Sequence, residues 1–146
     1  MDFSKLKIEI QEMKSQWHKL LFLCDNRELI NSSLSIHNYI KVLNLNLLLS
    51  KALLDIPKTK YPMYVEELVR GLFHDPLKIY LLQHIEILFD PALQTHPIRL
   101  LENISKQIKI IVVWPGTYEN GKLNYAESGY PEYFTCADFE GKVIWN

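Results

Sequence analysis

No charge of one sign dominates this chain. Its 16 basic and 17 acidic residues leave a net charge of -1. That balance gives no global pull toward nucleic acid or an anionic membrane. Lys51, Lys58, Lys60, Arg70, Arg99, Lys106 and Lys109 are spread over the middle of the sequence. They read first as a solvated surface, with a nucleic-acid footprint as the weaker alternative. Cysteine is scarce: Cys24 and Cys136 stand far apart and form no CxxC pair. Buried free thiols in a reducing cytosol are the expectation, with a single disulfide as the alternative. No base stands near Cys24 in sequence to make it a nucleophile. No stretch approaches the roughly 20 apolar residues of a membrane helix. The opening Met1–Lys7 interleaves charge with apolar residues, unlike a signal peptide. Repeats and low-complexity runs are also absent. These features predict a cytoplasmic protein without membrane attachment.

What is present suits one globular domain over residues 1–146, with 48% apolar and 23% charged residues. A chain of this size buries roughly two-thirds of its unfolded surface. Residues 3–18 read as a helix capped by Ser4, with Leu6, Ile10, Met13 and Trp17 on one stripe. Leu20-Leu21-Phe22-Leu23-Cys24 is continuously apolar, as strands covered on both faces are. Tyr39–Leu45 is a second strand, and Leu47–Ile56 a helix that Asn46 can cap. Residues 57–63 read as a loop. Tyr64–Phe73 reads as a short helix burying Val65, Leu68, Val69 and Leu72. Lys78–Leu82 and Lys109–Trp114 are further strands, separated by a helix over Pro97–Gln107 with its proline in the first turn. Such alternation predicts an α/β fold, a parallel sheet flanked by helices.

The tail, residues 115–146, differs in kind. Asn120-Gly121 supplies the type I′ turn of a hairpin over Thr117–Tyr125, with Glu119 and Lys122 facing each other across it. Pro131–Cys136 and Lys142–Trp145 are further extended segments. A C-terminal β-hairpin appendage on the α/β domain is expected.

Two strands end where a phosphate-binding ATPase would place its ligands. In such a site glycines curl backbone N–H groups around the phosphates, a lysine neutralises charge, and a hydroxyl ligates magnesium. An acid on a neighbouring strand orients the metal and its water. Between Asp25 and Ser33 this chain has neither glycine nor lysine. Asp25 and Glu28 oppose a triphosphate by charge, and Arg27, Leu29 and Ile30 by bulk. Asn31, Ser32 and Ser33 are the vestigial candidates there, with Ser32 or Ser33 as the remnant hydroxyl. Gln83 holds the place of the acid, and an amide is a weaker ligand for a hard divalent cation.

Leu43-Asn44-Leu45-Asn46-Leu47, Ile85-Glu86-Ile87-Leu88-Phe89-Asp90-Pro91 and the block from Trp114 to Glu127 resemble BrxF, as does Pro131-Glu132-Tyr133. BrxF is the small P-loop protein of some BREX phage-resistance systems. The resemblance spans roughly residues 19–144 and is most specific in the tail. It implies a P-loop NTPase-like fold with the sheet order of that class, and membership of a multi-protein antiviral assembly. Its Walker A loop and Walker B acid are not matched by Asp25–Ser33 and Gln83. Of the acidic neighbourhood only Glu86 remains, which otherwise reads as an exposed or capping carboxylate.

Other constellations are weaker. His84 and Glu86 lie two apart, but zinc needs more ligands. His18, His37, His74 and His96 show no metal spacing. His74-Asp75 has no accompanying nucleophile. No metal or catalytic residue is expected, and ATP with magnesium is not favoured as a cofactor. Trp114, Tyr118, Tyr125, Tyr130, Tyr133, Phe134 and Trp145 concentrate aromatic surface in the tail. Packing is their first reading, a protein interface the second and base stacking the third. Trp114, Tyr118, Tyr125, Tyr130 and Tyr133 are therefore the partner-binding candidates. The resulting expectation is a pseudo-ATPase of the BrxF type that binds other BREX proteins, with homo-oligomerisation open. The alternatives are a divergent AAA+-like subunit completing its ATP site with a partner, and a DNA-binding accessory.

Overall fold

Continuously apolar central strands decide the architecture. The computed structural model describes residues 3–24 and 39–145. Helix α1 (Phe3–Glu12) leads into a 3₁₀ turn over Met13–Ser15, and β1 (Leu20–Cys24) follows. After β2 (Ile40–Asn44) come α2 (Leu45–Leu53), α3 (Tyr61–Arg70) and β3 (Ile79–Gln83). Then follow α4 (Pro97–Ser105) and β4 (Lys109–Val113). The tail contributes β5 (Thr117–Glu119), β6 (Lys122–Tyr125), β7 (Phe134–Cys136) and β8 (Lys142–Trp145).

A five-stranded sheet has the order β2-β3-β4-β1-β8, with every neighbouring pair parallel. Leu20, Phe22, Cys24, Leu43, Tyr80, Leu82, Ile110 and Val112 face one core with α2, α3 and α4. Leu21, Leu23, Ile40, Ile79, Leu81, Ile111 and Ile144 face the other, under Leu6 and Met13. The period of two along each strand puts consecutive residues into opposite cores. The steps β2 to β3, β3 to β4 and β4 to β8 all run the same way across the sheet. Right-handed crossovers therefore put their connections on one face. The last of these is the three-stranded antiparallel sheet β5-β6-β7, in the place a crossover helix would take.

The expected tail hairpin is present as a small sheet of its own, and β8 is not part of it. The hairpin forms, with Asn120 and Gly121 at φ 53° and 75° and Glu119 opposite Lys122. Its sheet is packed onto the core through Leu123 and Cys136. β8 leaves the tail altogether and extends the main sheet beside β1. Pairing with a fully buried central strand is open to it because Val143 and Ile144 place apolar groups on both faces.

Local differences have local causes. The chain tightens at Met13, breaking the helical register, so Trp17 leaves the α1 stripe and is 75% exposed. The helix begins at Phe3, which puts Ser4 inside its first turn rather than before it. α3 starts at Tyr61 within the expected loop, because Pro62 occupies a first-turn position that needs no N–H donor. Cys24 and Cys136 form no disulfide and are both buried, and burial pushes the Cys136 thiol up from its usual range. No described helix is long and apolar enough to cross a membrane.

Candidate functional site

Open parallel sheets bind ligands beyond the carboxyl ends of their strands. In this molecule Asn44, Gln83 and Trp114 mark those ends on β2, β3 and β4. Asn31, Ser32 and Ser33, with the whole stretch from Asp25, lie outside the described residues.

Gln83 closes β3 opposite Asn44 and is half-buried. The chain then turns through His84, at φ 54°. Asn46 stitches this turn to the start of α2. Its N–H donates to the His84 carbonyl at 2.8 Å. Its Nδ2 donates to Glu86 Oε2 at 2.9 Å, and its Oδ1 accepts from the Ile87 N–H at 2.7 Å. Asn46 is therefore not the cap of α2. Asn44 is, its side chain accepting from the Leu47 N–H at 3.1 Å. Glu86 opens a 3₁₀ turn over Glu86–Phe89. Because β3 ends at Gln83, His84 and Glu86 do not share a strand face, and His84 Nδ1 stays 4.0 Å from Glu86 Oε2. Among the described residues no group of acids, histidines or cysteines is arranged to hold a metal ion.

Beside Glu86 runs a groove of about 480 Å³ lined by Asn46, Ser50, Glu86, Ile87, Asp90 and Glu132. Its three carboxylates come from two segments, Glu86 and Asp90 from the turn after β3 and Glu132 from the tail. The Tyr125 hydroxyl registers the same field: burial, then the charges of Glu86 and Glu132, raise its pKa above the ordinary tyrosine value. Sequence reasoning isolated Glu86 and missed Asp90 and Glu132, because only the folded tail brings residue 132 next to the exit of β3.

The aromatic candidates divide. Trp114 is 4% exposed and meets Phe22, Phe89 and Phe134 at centroid distances of 5.8, 5.6 and 6.2 Å. Its indole N–H donates to the Asn124 carbonyl at 3.0 Å. Gly116 permits this close approach, since a Cβ there would lie 1.7 Å from Asn124 O. Tyr125 stacks on Phe89 at 4.0 Å. Trp114 is thus core packing, and Tyr125 is half-buried against that core. Tyr118 is half-buried against Trp145. Tyr130 and Tyr133 are exposed, at 60% and 45%.

No family model, curated protein or solved structure matches this chain.

The Asn46 bridge gives a direct prediction. Asn46→Ala strips the Ile87 N–H and the Glu86 carboxylate of their partner, so stability falls by about 1–3 kcal/mol. Glu86→Gln retains an acceptor for Asn46 and changes the urea midpoint far less. Equal losses in the two variants would contradict the bridging role.

Proposed function

We propose that this protein is a non-catalytic P-loop ATPase-like scaffold of the BrxF type, working by protein–protein interaction in a BREX phage-defence assembly. The sheet order supports the scaffold half of this reading. β4 lies between β1, which would carry a phosphate loop, and β3, which would carry the acid. That insertion is the order of the ATPase class that includes AAA+ proteins. The non-catalytic half rests on one observation above all. Glu86, the acid remaining near the end of β3, is held by Asn46 as a structural bridge. Gln83 brings no charge to the strand end, and the neighbouring groove presents Glu86, Asp90 and Glu132, which repel a polyphosphate. Of the tail candidates, Tyr130 and Tyr133 offer the most exposed aromatic surface to a partner.

Calorimetry with ATP and magnesium is expected to show no saturable heat, and the thermal midpoint should not move when the nucleotide is added. Micromolar ATP binding overturns the non-catalytic reading. Affinity purification of the tagged protein from its native host tests the partner reading, which requires other BREX proteins to co-elute. Hydrolysis that appears only on mixing with those proteins, and is lost in Glu86→Gln, would favour a shared ATPase site instead.

A further inference from the structure

The opposite end of the sheet holds a second feature. At the amino ends of β1 and β8 a cleft of about 260 Å³ opens between the α1 exit and the turn into β8. Its floor is apolar, made by Met13, Leu20 and Leu21, each no more than 2% exposed. One wall is Trp17, whose indole is 75% exposed. The rim is charged and unbalanced. Lys142 is already neutralised by Glu9 at 3.5 Å and Glu12 at 4.0 Å. Glu140, its side chain 66% exposed, has His18 Nδ1 as its one ionic partner among the described residues, at 4.0 Å. Glu9 and Glu140 line the cleft against the ammonium of Lys142, so its lining carries a surplus of one carboxylate.

We propose that this cleft receives a single arginine side chain of a partner protein. The volume suits one long side chain and is too small for a nucleotide. The floor matches an aliphatic stem, which long basic side chains bury along apolar surface. A guanidinium is planar, stacks on an indole face and forks onto a carboxylate. Trp17 and Glu140 supply those two elements. An anionic ligand would meet the surplus carboxylate and is disfavoured. Free arginine would bring its own α-carboxylate to the same rim, so an arginine within a peptide is the better fit. The inference stands apart from the ATPase-scaffold reading, because it uses neither the carboxyl ends of the strands nor the tail aromatics.

Titration of the full chain with acetyl-arginine N-methylamide, followed by NMR at the Trp17 indole N–H and the Leu21 amide, provides the test. Saturable shifts are expected at roughly millimolar ligand, the range of a single small fragment. The citrulline analogue, of similar shape but uncharged, should bind about tenfold more weakly, the loss expected for a charge-assisted contact. Glu140→Gln should weaken the arginine probe about fivefold, and Trp17→Ala should abolish the Leu21 shift, both through loss of the stacked charge pair. Trp17 and Glu140 are exposed, so neither variant threatens folding, and an unchanged urea midpoint verifies this. An absence of saturable shifts, or equal binding of citrulline, overturns the proposal. Equal binding of the lysine analogue overturns the guanidinium assignment, and equal binding of free arginine overturns the peptide source. None of these results bears on whether ATP binds, so the two readings fail separately.

Discussion

Trp114→Ala lowers the free energy of unfolding by about 3–5 kcal/mol, the range for deleting a large buried aromatic. The indole sits where the end of β4, the exit of β1 and the tail sheet converge. Its backbone N–H pairs with the Leu23 carbonyl at 3.0 Å. Its side chain meets Phe22 from β1, Phe89 from the turn after β3 and Phe134 from β7. Truncation opens a cavity bordered by three other rings, which cannot all close on it. The indole N–H bond to Asn124 is lost too, and with it the tie between β4 and the hairpin. Urea unfolding measures the loss. Trp114→Phe retains much of the packing and should recover more than half of it, while leaving the Asn124 carbonyl without this donor. Tyr133→Ala, on the exposed rim, stays within about 0.5 kcal/mol of the parent. A Trp114→Ala protein as stable as the parent would return this residue to the set available for partners.

That contrast shows what the sequence could and could not reveal. The main strands were legible because a run such as Leu20–Cys24, buried on both faces, needs apolar residues at every position. The hairpin turn was legible because Asn120-Gly121 is a local device. Position within the tail was not. Trp114 and Tyr133 are both aromatic residues in the same tail, and only the crossover of β5–β7 onto the helix face buries one and exposes the other. β8 reads as another short extended segment; its place beside β1 depends on residues 138–140 being held down. At the candidate site two asparagines two residues apart compete for one role. Asn44 caps α2, and Asn46 reaches across to Glu86. Both residue types suit either task, so local propensity could not choose between them. The pairing of Glu132 with Glu86 across one groove is a long-range contact of the same sort. By contrast, Arg99 and Glu102 stand at helical i, i+3 spacing, a pairing that local sequence carries by itself.

That pair supports the second large effect. Glu102→Ala is expected to cost about 3 kcal/mol, the lower part of the range for breaking an ion pair whose carboxylate is buried. The Glu102 side chain is 8% exposed and accepts both hydrogen bonds of Arg99 NH1, at 2.9 and 3.0 Å. It also accepts the Glu140 N–H at 2.6 Å. Arg99 NH2 donates in turn to the Asp138 carbonyl at 2.5 Å. One carboxylate on α4 thereby fastens the segment that delivers β8 to the sheet edge. The figure sits low in the range because Arg99, 43% exposed, can turn to water once its partner is gone. Glu102→Gln keeps an acceptor for the Glu140 N–H but loses the charge, so it should fall between the parent and alanine. If the pair acts as one clamp, Arg99→Ala combined with Glu102→Ala costs less than the sum of the single losses. The distinguishing readout is local. Hydrogen exchange at the Val143 and Ile144 amides should accelerate in Glu102→Ala more than exchange at Leu81 in the sheet centre, since β8 is an edge strand released first. Uniform acceleration across the sheet, with strictly additive single losses, would mean that Glu102 supports the fold generally and does not hold β8 in place.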